Sequence, residues 1–228
     1  MKKTLEEHAD RFSDIAADYD ESQSSDEYKA CVSLVVDYAD PGPEDVVLDL
    51  GTGTGAIALA LAPKAKRVVG RDISEGMMAE AQKKAQEQGL DNVEFGEGRF
   101  RDPNYDGPVD NESSETPRAD ARDARVDIVV SNFAMHHLSD EEKREAIQVI
   151  ADLEPRRFVL GDVMFFGEPN PDEPFYSPEV DDPATVGTLA DALTDAGFAL
   201  TAVESVHDQV GVLVAERAGD GDEVPGTE

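Results

Sequence analysis

The sequence holds a single cysteine, Cys31, in 228 residues, which excludes a disulfide framework and a cysteine-built metal cluster. It is also poor in positive charge. Only 20 Lys and Arg stand against 51 Asp and Glu, whereas phosphate backbones are bound by lysine and arginine footprints, so no nucleic-acid partner is expected. No apolar run reaches the roughly 20 residues needed to span a bilayer, and the opening MKKTLEEHAD has no apolar core of a secretory leader. A soluble cytoplasmic protein without membrane attachment is the expectation. With only 4 histidines, two of them adjacent, no metal site is expected either.

What is abundant is acid. The formal charge is −31 and is spread along the chain, so self-repulsion opposes compaction at low salt while favouring solubility. At 1 M salt the screening length shrinks to about 3 Å. The even spread therefore predicts a halophile-like protein suited to a salt-rich cytoplasm, and fits less well an acidic patch grown for one basic partner. The length suits one α/β domain with a full core.

Within that chain, VVLDLGTGTGAIALAL, residues 46–61, is the organising stretch. Val46, Val47, Leu48 and Leu50 form the apolar run of a parallel strand covered on both faces. Gly51, Gly53 and Gly55 follow at alternate positions, where a missing Cβ permits a sharp turn and close approach to a ligand. A helix begins near Ala56, its free N–H groups facing the turn. Three readings stay open at this point: a bare strand-to-helix turn, a dinucleotide fingerprint formed by Gly51, Gly53 and Ala56, or another nucleotide-cofactor site. Asp49 weighs toward a ligand, because a carboxylate in a buried strand needs a partner, such as a cationic amino group.

Around this stretch, strands and helices alternate. Leu5, Phe12, Ile15, Ala16 and Tyr19 recur at helical spacing. Ser24 with Glu27 reads as a capping box for a second helix ending at residues 40–43. After the helix that Pro63 stops, residues 67–71 form a strand, Ser74 caps a helix that Gly89 ends, and residues 92–95 form a third strand. Residues 102–125, acidic and nearly without apolar side chains, read as an exposed insertion, either a substrate lid or without fixed structure. Residues 126–130 form the fourth strand. Ser139 and Glu142 box the next helix, 158–165 is the fifth strand, and Pro183 opens a helix that Gly197 ends. Residues 198–203 and 209–215 are too close for a crossover and must pair antiparallel. The expected organisation is a helical cap over 1–44, a domain over 45–217 and a mobile tail over 218–228.

Asp49-Leu-Gly51-Thr-Gly53-Thr-Gly55 resembles the first motif of the class I S-adenosylmethionine-dependent methyltransferases, and Asp72 resembles their acidic residue for the ribose hydroxyls. The resemblance runs from about Phe12 to Arg217. It implies a doubly wound, seven-stranded Rossmann-like α/β sheet with an antiparallel last strand, and S-adenosylmethionine as cofactor. By the same resemblance the cofactor contacts are Tyr19, Asp49, Gly51, Thr52, Gly53, Gly55, Asp72, Ile73, Met77, Arg99, Phe100 and Ser131. For Tyr19 and Met77, plain packing is the competing reading. Arg99 stands where the family carries an acid for the adenine amino group, and arginine cannot accept a hydrogen bond. Asp102 taking over, Arg99 stacking on the ring, or backbone groups near Phe100 are the three open alternatives.

Methyl transfer from a sulfonium needs alignment above all, and a base only where the acceptor must lose a proton. His136 and His137 are the candidates for that base, or else one caps the following helix while the other is solvated. Phe175 and Tyr176 are placed to close over an acceptor. Ser131-Asn132-Phe133-Ala134 is not the Asn-Pro-Pro-aromatic motif of amino-methylating nucleic-acid enzymes, and Cys31 lacks the Pro-Cys setting of cytosine-C5 enzymes. A small-molecule acceptor is the expectation. The rivals are an NAD(P)-dependent oxidoreductase, which lacks a Tyr-x-x-x-Lys hydride site, and a non-catalytic S-adenosylmethionine-binding protein.

Overall fold

The computed structural model describes residues 5–23, 25–105, 125–168 and 174–217. The expected acidic insertion, apart from its two ends, and the expected tail lie outside the described residues. Eight strands alternate with helices in the order α1 (Leu5–Ile15), α2 (Tyr19–Ser22), α3 (Asp26–Ala39), β1 (Val46–Leu50), α4 (Ala56–Leu61), β2 (Arg67–Asp72), α5 (Glu75–Gln88), β3 (Val93–Glu97), β4 (Ile128–Asn132), α6 (Asp140–Asp152), β5 (Arg157–Phe165), β6 (Ala184–Thr185), α7 (Val186–Asp195), β7 (Phe198–His207) and β8 (Val210–Arg217). The sheet runs β3-β2-β1-β4-β5-β8-β7, with β6 paired to β5 off this path. Strands β1 to β5 are parallel, and β8 is antiparallel to both β5 and β7. This is the α/β sheet expected from the sequence, reversed ending included.

Side-chain alternation explains why the central strands read as unbroken apolar runs. In β1, Leu48 and Leu50 enter the core shared with α6 and α7, while Val47 enters the opposite core with α3 and α4. Both layers are apolar. Ile147, Ile150 and Leu193 fill one, and Cys31, Val35 and Leu61 fill the other. Cys31 is fully buried, as a small apolar side chain. No helix among the described residues is long and apolar enough to cross a membrane.

Local signals set most boundaries. Ser74 accepts from the Met77 N–H and Gly89 closes α5 in the left-handed region. Ser139 and Glu142 form the expected capping box. Two starts are corrected. The cap of α3 is Ser25, whose Oγ accepts from Tyr28 N at 3.1 Å, and Ser24 lies outside the described residues. Helix α7 begins after Thr185, whose hydroxyl accepts from Thr188 N, because Ala184 and Thr185 are first drawn into the sheet beside β5.

Candidate functional site

Strand order reverses between β1 and β4, and the crevice beyond their carboxyl ends is where such sheets bind ligands. The glycine turn enters it directly. Gly51, Gly53 and Gly55 have φ values of 71°, 53° and 85°, a region that disfavours any side chain. Gly51 also has no room for one, since a Cβ there would lie 2.4 Å from the Ala134 Cβ beyond β4. Gly55 faces inward, where a Cβ would meet Ala81 and Phe95, and Gly53 faces open space.

Two carboxylates hold the turn. Asp49, 1% exposed, accepts from Thr52 Oγ1 at 2.7 Å. Burial pushes its pKa up to about 7, partly offset by the threonine bond. Asp72 takes the Gly53 N–H at 2.8 Å and the Ser74 N–H at 2.9 Å, one on each oxygen. Burial raises its pKa as well. Asp72 thus ties the end of β2 to the turn after β1 while bordering the crevice.

The crevice is a cavity of about 660 Å³. Among the expected cofactor residues it is lined by Tyr19, Gly51, Thr52, Gly53, Asp72, Ile73, Met77, Arg99 and Phe100. Three others do not line it. Asp49 and Gly55 sit behind the turn, and Ser131 is fully buried within β4. The pleat places Ser131 inward, because adjacent side chains alternate faces and the next residue, Asn132, reaches the cavity. At the far end Arg99 and Asp102 exchange backbone hydrogen bonds of 2.8 and 3.1 Å. This tight turn brings Arg99, Phe100 and Asp102 to the wall together, so the groups of all three adenine alternatives are present.

Helix α1 roofs the cavity. Ser13 Oγ lies 2.9 Å from Ser74 Oγ and accepts from Gly76 N at 3.3 Å. His8 and Phe12 thereby join the lining, with Tyr19 at the start of α2 beside them. Burial, followed by nearby Asp72 and Asp20, pushes the Tyr19 hydroxyl up to about 12, so it stays protonated.

A second chamber of about 590 Å³ adjoins the first. Phe12, Tyr19, Tyr28, Phe133 and His137 border both. Phe175, Tyr176 and His136 line only the second. Phe133 has a φ of 50°, a left-handed conformation that costs an aromatic residue about 1–3 kcal/mol. It is held by its N–H on the Gly161 carbonyl at 2.9 Å and by the rings of Tyr28 and Phe175 at 5.2 and 6.3 Å.

The two histidines differ. His136 is buried, with Nδ1 at 2.5 Å from Asp162 Oδ1 and its backbone N–H on Asp162 Oδ2 at 3.0 Å. Burial opposes its charge, yet Asp162 wins and its pKa is raised. His137 puts Nδ1 at 2.8 Å from Asp181 Oδ1. There burial wins, and with the neighbouring His136 it lowers the pKa despite Asp181. Donor atoms of His136, His137 and Asp181 lie within 4.8 Å of one another. Both Nδ1 atoms are engaged by carboxylates, Asp162 for His136 and Asp181 for His137.

Asp162, Asp181, His8 and Tyr28 escaped the reading of the sequence. Asp162 had a signal, since it interrupts the apolar β5 run as Asp49 interrupts β1. The other three lie on distant segments with no local mark.

A methyltransferase-domain family matches residues 47–153. An uncharacterised methyltransferase of Oceanobacillus iheyensis is 31% identical over 171 residues, covering 70% of this chain and 68% of that protein. The chain belongs to the class I methyltransferases. A second methyltransferase relative, the uncharacterised YcgJ of Bacillus subtilis, is 33% identical over 133 residues, which are 58% of this chain and 46% of that one. Among solved folds, the magnesium protoporphyrin IX methyltransferase of Synechocystis PCC 6803 with bound S-adenosylmethionine superimposes with a TM-score of 0.58 at 24% identity, over 83% of this chain and 77% of that one. The nicotinamide reading of the glycine turn is thereby replaced.

The methyltransferase cavity fits the family's methyl donor, S-adenosylmethionine. Gly53 offers open backbone, Asp72 borders the cavity with a carboxylate held by backbone N–H groups, and Ile73, Met77 and Phe100 give apolar walls to a ring. Bound there, the donor would supply an electrophilic methyl group on a positively charged sulfur.

Proposed function

We propose that this methyltransferase carries the donor's methyl group to a small molecule held in the second chamber. The observation that carries the reading is the shared wall, since one set of side chains, Phe12, Tyr19, Tyr28, Phe133 and His137, borders both spaces. A displacement at carbon needs its two partners aligned across such a boundary, and alignment alone supplies much of the rate. Phe12, Tyr19, Tyr28, Phe133, Phe175 and Tyr176 line the chamber beside polar groups such as Arg11, Gln23 and Asp181, which suits an acceptor with an aromatic body and a polar group. The Synechocystis relative in fold, named for a porphyrin substrate, supports a small acceptor by analogy only. The excess of acidic residues supports the same choice over nucleic acid, and supports work in a salt-rich cytoplasm.

The test is to incubate the protein in molar KCl with methyl-labelled S-adenosylmethionine and pools of small aromatic compounds, following label transfer and S-adenosylhomocysteine release. Transfer to a pool member supports the reading. Tight binding of both sulfur compounds, with label reaching none of the pools and reaching RNA or protein instead, would sink it. Binding with no transfer to any class would favour the non-catalytic alternative.

A further inference from the structure

We propose that His137 is the general base of methyl transfer and Asp181 the residue that orients it, so that the methylated atom of the acceptor carries a dissociable proton, as a hydroxyl does. This rests on the small-molecule reading above and narrows it to one acceptor class.

The geometry begins with Asp181. One carboxylate oxygen lies 2.8 Å from His137 Nδ1 and the other accepts from Ser177 N at 2.7 Å. The carboxylate is therefore fixed from both sides. Because an ionised carboxylate only accepts, Nδ1 carries the hydrogen and Nε2 keeps its lone pair, on a ring that borders both chambers. The segment bearing Asp181 is braced in turn. Asp182 N donates to the His136 carbonyl at 2.7 Å, and Lys143, 2% exposed, donates Nζ to the Leu138 carbonyl at 2.5 Å and to the Asp182 carbonyl. A buried lysine is costly. Here it clamps the histidine turn to the aspartate segment.

In the step itself, Nε2 takes the acceptor's O–H proton as that oxygen forms its bond to the methyl carbon. The carbon–sulfur bond breaks, its electron pair stays on sulfur, and S-adenosylhomocysteine and the methyl ether leave. The imidazolium then gives its proton to water. His137 must be neutral to start, and its lowered pKa favours that. The titratable and charged groups around it are His136, Asp162 on β5, Asp181, and His8 on α1 with its ring at 5.3 Å, with Lys143 behind His136 and Arg11 beyond Phe12.

The probes are a panel of phenols and matched N,N-dimethylanilines, whose nitrogen has no proton to lose. Phenols alone should be methylated, with kcat/KM rising from acid pH through a midpoint below 6.5. His137→Ala should lower kcat by roughly 10²–10⁴. Asp181→Asn removes the charge that raises the His137 pKa, so the acid limb should move to lower pH, a change that mere loosening would not produce. Independently of any acceptor, nitrogen NMR at pH 7.5 should show His137 protonated on Nδ1 and bare on Nε2, and Asp181→Ala should scramble this. Protonation on Nε2 in the wild type, or kcat in His137→Ala within about tenfold of wild type, overturns the proposal. So does activity lost to EDTA and restored by zinc. If the wild type methylates nothing in the panel and passes label to RNA or protein while the NMR pattern holds, the small-molecule reading fails and the oriented imidazole stands.

Discussion

Asp49 spends its burial on holding Thr52, and this fixes how its replacement should behave. Its folded pKa, about 7, lies above the ordinary value of 3.8, so between these the unfolded chain ionises while the folded one stays protonated. Stability is lost as pH rises through that window. Asp49→Asn carries no such penalty, so its melting temperature relative to wild type should climb from pH 4 to pH 7 and then level off, read by calorimetry without ligand. Asp72 has the opposite use, bordering the cavity. Asp72→Ala should weaken S-adenosylmethionine binding by about 1.5–3 kcal/mol, the scale of hydrogen bonds to a charged group, measured by titration calorimetry. Unchanged affinity would remove it from the donor site. Asp49 was legible in the sequence because a charge within an apolar strand is anomalous, whereas Asp72 was marked only by the resemblance to the family's ribose acid. Asp181 was not, since an acid in an acidic loop is ordinary and its partner lies 44 positions away.

Among the elements, α1 carries the clearest split between what local pattern reveals and what only packing decides. Its apolar stripe foretold a helix that must dock. That it docks on the start of α5 depended on Gly76, where a Cβ would come within 2.8 Å of the Ser13 backbone. Gly76→Ala should therefore lift α1 without touching the sheet. The expected result is faster proteolytic clipping within residues 5–23 and faster release of S-adenosylhomocysteine in stopped flow, with the unfolding midpoint nearly unchanged. The corrected helix starts make the same point. Ser24 and Ser25 are both good caps, and Pro183 is a good opener, yet Ser25 won by its bond to Tyr28 N and β6 claimed the residues after Pro183.

At the scale of the whole molecule, charge and topology act separately. A net charge of −31 opposes compaction over distances that salt cuts from about 10 Å at 0.1 M to about 3 Å at 1 M. Thermal stability should rise steeply as KCl is raised across that range, and faster than with an equal osmolarity of sucrose; a flat response would refute an electrostatic origin. The doubly wound sheet and its reversed ending were legible because strands and helices alternate and the link between the last two strands is short. The chambers were not, because they are made by side chains from α1, α3, β4 and the segment before β6, which meet only in three dimensions.

The partition of Phe12, Tyr19, Tyr28, Phe133 and His137 has a thermodynamic corollary. A wall that two ligands share cannot adjust to one without altering its fit to the other. With the acceptor seated in the second chamber as proposed, donor and acceptor are linked, and by reciprocity the factor by which the donor tightens the acceptor equals the factor by which the acceptor tightens the donor. Retention of S-adenosylmethionine is thus a reporter for acceptors: the right compound will announce itself as a change in donor affinity before any methyl group has moved.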